Sequence, residues 1–131
     1  MINLLWFFTV PWVPVIQPVP EVWGWEVDRW TPIVEIALES YGAESELDTF
    51  MRVMHCESRG DPNAFNDKVY DNPKDQASGL MQHMPRWWDD RVASAGMAGY
   101  SPFNPVANIF ASAWLLTTRG GGWSHWECYG L

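Results

Sequence analysis

Residues 51–66, MRVMHCESRGDPNAFN, carry the strongest structural signal in the chain. At the start of this stretch Phe50, Val53 and Met54 recur at the spacing of one helical stripe, which predicts a helix with one buried face. The Ser-Arg-Gly-Asp-Pro run that follows does not readily continue a helix. Glu57 is therefore expected in the last turn of that helix, where the chain opens into a loop.

A carboxyl group in this position has a chemical use. Apolar neighbours on the helix can shield Glu57 while its oxygens still reach a cleft. Burial disfavours the charged form and raises the pKa of a carboxyl, so that it can donate a proton near neutral pH. Glu57 is thus a candidate general acid, and the alternative for this residue alone is a solvated Glu near a helix end.

Composition limits the class of protein. With 131 residues and 47% hydrophobic residues, the chain fits one globular domain. The formal net charge of −8 argues against a basic surface that binds nucleic acid. Ten Trp residues are consistent with core packing, a membrane-interface belt or a cleft that stacks on sugars. Composition favours the core for most of them.

The first 30 residues differ from the rest. The apolar run Leu4–Val10 is followed by repeated prolines and is too short to span a membrane. A signal peptide would have an early basic residue and a small-residue cleavage site, but the first basic residue is Arg29. We predict an extended, proline-rich N-terminal arm over 1–30, with a degenerate export segment as the alternative for it, a domain over 31–131, and no stable membrane span.

Several residues in the proposed domain predict where its helices begin and end. Thr31 as N-cap and Gly42 as C-cap bound the first helix, and a weak capping box of Ser45 and Asp48 precedes the helix that delivers Glu57. The inner face of the first helix is predicted to contain Ile33, Ile36, Ala37 and Tyr41, with Glu35 and Glu39 outside.

The second half continues the helical pattern. Residues 58–78 are rich in Gly, Pro, Asn and Asp and are predicted to form a loop. Pro85 begins a third helix, and Asn104 caps a central fourth one. The apolar face of the fourth helix is predicted to contain Val106, Ile109, Phe110, Ala113 and Trp114. The fold class is therefore all-α.

The two cysteines leave three readings open. Cys56 and Cys128 can be free thiols, a disulfide or half of a metal site. Nearby His55 and His125 raise the question of zinc. Adjacent residues on a helix point about 100° apart, so His55 and Cys56 are not expected to share a metal ion. We expect neither a metal nor a cofactor.

Four short motifs occur in a recognisable order. They are Glu57–Ser58, Asp61–Ala64, Gly79–Gln82 followed by Pro85, and the pair Asn104-Pro105 with Asn108-Ile109. This order resembles the lytic transglycosylase domain of the soluble type, related to goose-type lysozyme, over about residues 31–118. A Cys just before the Glu and another near the end is similar to actinobacterial and phage-borne members and to resuscitation-promoting factors.

The resemblance implies a lysozyme-like fold that cleaves the MurNAc–GlcNAc β-1,4 bond of peptidoglycan. It implies a general acid at Glu57 and a disulfide between Cys56 and Cys128, which suits an oxidising, extracellular or cell-wall-facing location such as that of a phage lysin. Carried over by position, the residues that bind the sugar or shape its cleft are Ser58, Ser78, Gly79, Leu80, Met81 and Gln82, with Asn108 as a structural Asn on the later helix.

The sequence departs from the family pattern in two places. No Ala-Tyr-Asn motif follows Trp114, so Trp123, Trp126 or Tyr129 is the candidate to replace the family's active-site Tyr. Trp123 is counted among the predicted substrate-binding residues. Trp87 stands where a small hydroxyl residue is common.

A second carboxylate is a separate question. Asp75, seven residues before Gln82, is a candidate to orient water, with Asp67 and Asp71 as rivals, although solvated loop acids are the favoured reading. Without such a carboxylate, attack by the MurNAc 6-hydroxyl would give an anhydro product.

The functional hypothesis is a monomeric enzyme, a lytic transglycosylase or lysozyme, whose partner is the peptidoglycan glycan strand. The alternative is a catalytically inactive peptidoglycan-binding or assembly module, which would keep the groove without turnover.

Overall fold

The computed structural model describes residues 22–66 and 72–131, and the regular structure in these ranges is helical. The α-helices are α1 (Trp25–Asp28), α2 (Thr31–Ser40), α3 (Leu47–Ser58), α4 (Pro85–Ser94) and α5 (Pro105–Thr117). Short 3-10 turns cover Glu44–Glu46, Pro73–Asp75, Gly122–His125 and Glu127–Gly130. Isolated β-bridges pair Ser78 with Phe65 and with His83. The all-α prediction is confirmed.

Helix α5 is the central element and packs against α2 and α4. It begins as predicted, because the Asn104 side chain accepts a hydrogen bond of 3.0 Å from the Ala107 N–H. The small residues Ala107 and Ala111 let Trp88 and Val92 of α4 pack closely on α5, so α5 is buried on most sides. Of the predicted face, Ile109 and Ala113 are fully buried, whereas Val106, Phe110 and Trp114 are only partly covered.

Helix α2 is rotated relative to the prediction. Thr31 is its first residue rather than its N-cap, which is Trp30. Ile36 is 59% exposed, so its assignment to the inner face was wrong. The buried face is shifted by one residue from the predicted one. It follows the i, i+3, i+4 spacing and contains Val34, Ala37 and Leu38. Gly42 ends the helix as predicted: its φ is +66°, and its N–H donates to the Glu39 carbonyl.

Helix α3 has the buried stripe that was expected. Phe50, Val53 and Met54 have no exposed surface. The predicted capping box is wrong, because Ser45 lies inside a 3-10 turn and the N-cap is Glu46, whose side chain makes no capping bond. The 3-10 turn moves the helix start beyond the reach of the Ser45 hydroxyl.

Residues 22–30, which sequence reasoning assigned to the arm, pack on the helices. The buried Asp28 carboxylate accepts hydrogen bonds from the N–H groups of Val22 at 2.7 Å, Trp23 at 3.0 Å and Gly24 at 3.1 Å. Val27 belongs to the main core. The remainder of the predicted arm, residues 1–21, lies outside the described residues. Among the described residues no helix has the length and apolarity needed to cross a membrane.

Candidate active site

Glu57 lies in the last turn of α3, as predicted, and the chain around it is firmly anchored. Arg59 ends the helix in a left-handed conformation with φ of +55°. The Ser58 hydroxyl donates to the Met54 carbonyl and accepts from the Gly60 N–H at 3.1 Å, so Ser58 shapes the helix end. Gly60 packs so tightly on the backbone of Glu26 that a Cβ would collide with it. The acid is therefore carried on a fixed helix end.

Burial and, to a smaller extent, the nearby Glu127 carboxylate together raise the pKa of Glu57 from its ordinary 4.5 to about 7. Within the described residues the Glu57 carboxyl makes no hydrogen bond, and no unpartnered side-chain oxygen there is fully buried. Its oxygens therefore reach solvent. A carboxyl that is half protonated near pH 7 and open to a ligand is suited to general acid catalysis.

Glu127 was missed by sequence reasoning. The Cys56–Cys128 disulfide, with Cα atoms 5.9 Å apart, confirms the pairing implied by the resemblance. Since Glu57 directly follows Cys56 and Glu127 directly precedes Cys128, the bond brings the two acids together. The sequence pairs Cys56-Glu57 and Glu127-Cys128 could have indicated that the two acids lie together, but only once the disulfide was known.

In the described residues no group of three or more His, Cys, Asp and Glu is arranged to hold a metal ion.

Asp75, the predicted water-orienting acid, is engaged elsewhere. Its Oδ1 accepts a hydrogen bond of 2.6 Å from Arg86 Nε in α4. The carboxylate that acts on Glu57 is Glu127 instead. The rivals Asp67 and Asp71 lie outside the described residues.

The turn of residues 78–83 corrects part of the predicted cleft. Leu80 and Met81 have no exposed surface and Ser78 has 2%, so these side chains do not line a surface that a sugar can reach. The Met81 backbone is also engaged, because its N–H donates to Asn108 Oδ1 and its carbonyl accepts from Trp126 Nε1, each at 2.9 Å. The reason is geometric: the turn folds its apolar residues into the core.

The other predicted residues of this turn hold its shape. Gly79 has φ of +84°, and a Cβ there would collide with the Pro102 carbonyl and the Asn108 side chain. Buried Asn108 donates to the Pro102 carbonyl at 2.9 Å, the structural part that the resemblance implies. The Gln82 amide donates to the carbonyls of Gly79 at 2.9 Å and Ala64 at 3.2 Å. Gln82, half-buried, thus ties the turn to the loop after Glu57.

Trp123 contacts the first half of α3, away from the helix end that carries Glu57. Its indole N–H donates to the Glu46 carboxylate at 2.9 Å, at the opposite end of α3. At 1.5 Å per residue, Glu46 and Glu57 are about 16 Å apart along the helix. Tyr129 stacks on Trp123 with ring centroids 5.7 Å apart. The third candidate, Trp126, is buried against the turn.

His83 forms a second polar centre, which sequence reasoning also missed. The Ser112 hydroxyl donates its one hydrogen bond to the Asn108 carbonyl at 2.7 Å. The Ser112 oxygen can therefore only accept from His83, and His83 Nε2 is the donor, also at 2.7 Å. Arg91 then donates to His83 Nδ1 at 3.1 Å. Complete burial, followed by the positive charge of Arg91, lowers the His83 pKa from 6.5 to about 3. His83 is therefore neutral, with both nitrogens bonded.

Two cavities stand out in the described part of the chain. The larger, about 470 Å³, surrounds Trp23, Asp28 and the first half of α3 and does not include Glu57. The smaller, about 220 Å³, is lined by Trp87, Arg91, Arg119 and His125. Glu57 thus lies at an open helix end and lines neither of these two cavities.

Comparison with known proteins gives one match. A family model of the transglycosylase SLT domain matches residues 35–130, a range that contains Glu57, the 78–83 turn and the disulfide. The chain has no significant match among curated proteins or solved structures.

Proposed function

We propose, because the chain belongs to the transglycosylase SLT domain family, that it cleaves the MurNAc–GlcNAc β-1,4 bond of peptidoglycan with Glu57 as the general acid. SLT domains are lytic transglycosylases that act on peptidoglycan. The observation that supports the assignment is the Glu57 pKa of about 7 on a carboxyl whose oxygens make no internal hydrogen bond among the described residues.

The chemistry needs one group to give and then take a proton. Protonated Glu57 donates to the glycosidic oxygen, the C1–O bond breaks, and the departing sugar keeps the proton as its hydroxyl. Positive charge builds up at C1 and the ring oxygen. The Glu57 carboxylate then removes the proton from the MurNAc 6-hydroxyl, whose oxygen attacks C1 and closes the anhydro ring. If water attacks C1 instead, the Glu57 carboxylate takes its proton and the product is a sugar with a free C1 hydroxyl.

Glu127 supports this cycle without touching the substrate in our proposal. Its negative charge disfavours the ionised form of Glu57, which keeps Glu57 protonated before cleavage. After cleavage the same repulsion favours recapture of a proton by Glu57. A second carboxylate is thus used to adjust the first.

A wall-facing or extracellular location follows from such a substrate. The disulfide supports it, since structural disulfides persist in oxidising compartments.

One observation favours a second candidate, a catalytically inactive peptidoglycan-binding or assembly module. The chain lacks the family's Ala-Tyr-Asn motif, and the described aromatic residues of the tail lie along α3 or in the core. Such a module would bind walls and release nothing.

The test is release of soluble muropeptides from purified peptidoglycan by wild type and Glu57→Gln. The variant keeps the shape of the side chain but cannot donate the proton, so we expect a loss of at least about 100-fold, the lower bound for general acid catalysis. Exposed Glu39→Gln is the matched control and should retain full activity. Product masses, which differ by one water, separate anhydro from hydrolysed ends.

Wild-type rates in Glu57→Gln would show that the acid is elsewhere. No release by either form, with binding to the wall intact, would favour the inactive module.

A further inference from the structure

Three basic residues meet in one cavity of this acidic protein. The formal net charge is −8, yet Arg91, Arg119 and His125 line the same space of about 220 Å³. Trp87, 48% exposed, forms another part of its wall. The positive charges of Arg91 and Arg119 repel each other in this partly enclosed space, and the Asp90 carboxylate, which pairs with Arg119, offsets that repulsion only in part.

Arg91 is the least compensated of these groups. Among the described residues its guanidinium bonds only to His83 Nδ1 and has no ion-pair partner. By contrast, Arg86 on the same helix pairs with Asp75, and Arg119 pairs with Asp90 at 3.0 Å. A guanidinium has five N–H donors, so most of those on Arg91 remain available to a ligand.

The buried cluster holds Arg91 in place. His83 cannot turn, because its Nε2 is bonded to Ser112, and it accepts from Arg91 in the one tautomer that the Ser112 hydroxyl permits. Burial, followed by the positive charge of Arg119, lowers the Arg91 pKa to about 10, although the Asp90 carboxylate acts in the opposite direction. Burial and the Arg119 charge both penalise the Arg91 cation, and a bound anion would offset them.

We propose that this cavity binds a carboxylate of the peptide stems carried by the glycan strand. The planar guanidinium matches a carboxylate with two parallel hydrogen bonds, and Trp87 offers an apolar wall to the attached peptide. His125 precedes Glu127 by two residues, so their Cα atoms are at most about 7 Å apart. The anion site and Glu127, whose carboxylate acts on Glu57, therefore share one short segment of the tail.

This inference rests on the proposed function for its choice of polymer, so its test measures binding separately from cleavage. Glu57→Gln protein is sedimented with purified, teichoic-acid-free peptidoglycan and with the same material after its carboxylates have been amidated with carbodiimide and ammonia. We expect Arg119→Gln, added to Glu57→Gln, to weaken binding to the untreated wall about fivefold, the upper range for a partly exposed ion pair. On the amidated wall Arg119→Gln should make no difference.

Arg86→Gln is the matched control, since it removes the same charge from a surface arginine outside the cavity. Arg91→Lys keeps the charge but loses the planar fork, and should weaken binding about tenfold if its melting curve is unchanged. Arg119 is largely exposed and paired at the surface, so its variant is expected to fold even if Arg91→Lys does not.

Equal binding by the Arg119 and Arg86 variants, or an equal effect of Arg119→Gln on untreated and amidated walls, would overturn the proposal. Dependence on Arg119 that is found only on walls carrying phosphodiester polymers would also overturn it, in favour of a phosphate ligand. Carboxylate-dependent binding without any cleavage by wild type would leave the site standing and refute the proposed enzyme.

Discussion

Burial favours the neutral form of both Glu57 and His83, but the protein uses the two groups differently. The Glu57 pKa rises from 4.5 to about 7, and that of His83 falls from 6.5 to about 3. Both nitrogens of His83 are bonded inside the protein, whereas the Glu57 carboxyl has no partner among the described residues. A neutral group whose hydrogen bonds are all made inside the protein supports the structure. A neutral group without internal hydrogen bonds is free to react with a ligand.

The two groups also act oppositely on stability. Folded Glu57 holds a proton that the unfolded chain releases above pH 4.5, so its contribution is lost as pH rises to about 7. Unfolded His83 takes up a proton below pH 6.5 that the folded ring refuses, so stability is lost as pH falls toward 3.

The largest expected effect comes from removing the bond that brings the two acids together. Cys56→Ser with Cys128→Ser opens a loop whose ends are 72 residues apart. The chain-entropy model gives about 4 kcal/mol of lost stability. Urea denaturation measures it, and unchanged stability would contradict the model. The Glu57 pKa should fall as Glu127 moves away, whereas the hydrogen bonds of His83 should persist.

Gly79→Ala is expected to disturb the turn of residues 78–83, which carries His83. The new Cβ meets the Pro102 carbonyl and the Asn108 side chain in a left-handed conformation, so we expect a loss of at least about 3 kcal/mol. Gly96→Ala is the control: its φ of +81° is similar, but nothing lies within 4 Å. It should cost about 1 kcal/mol from backbone strain alone. Equal losses in thermal melts would show that the close approach is unimportant.

Ser112→Ala leaves the His83 Nε2–H without an acceptor in the core. An unsatisfied buried donor costs about 2 kcal/mol, measurable by urea titration at pH 7. Ser40→Ala provides the comparison, since the exposed Ser40 hydroxyl makes the same bond to the carbonyl four residues earlier. If both variants lose the same stability, His83 does not depend on Ser112.

Glu127→Gln gives the smallest effect and concerns the reactive centre alone. Loss of its charge lowers the Glu57 pKa, so the alkaline limb of activity, which falls as pH rises through about 7, should move to lower pH. Because burial is the larger cause, activity at pH 7 should drop only about two- to threefold. Exposed Glu44→Gln should leave the pH profile in place. A profile unmoved by Glu127→Gln would remove Glu127 from the mechanism.

Sequence reasoning succeeded where local rules govern the chain. The stripe of Phe50, Val53 and Met54 set the helix that carries Glu57, and Asn104 capped α5 as its side chain requires. It failed at Leu80 and Met81, because a motif gives the path of the backbone and not the direction of its side chains.

Contacts between distant parts of the chain were the second limit. Glu127 lies beside Glu57 because of a disulfide, and His83, in the turn before α4, bonds to Ser112 on α5. Neither pairing has a periodic signal, so the partners of the two titratable groups emerged only from the folded chain.

The Gly60 carbonyl has a practical consequence for anyone shortening this protein. It accepts hydrogen bonds from Trp30 Nε1 at 3.0 Å and from Arg29 at 3.2 Å. Cutting the gene at residue 31, the boundary that the sequence suggests, would delete both donors and Val27 as well. The loop after Glu57 would then lose its anchor, and the fragment would behave as an active-site mutant although every residue of the site was still present. An expression fragment is better begun no later than Val22.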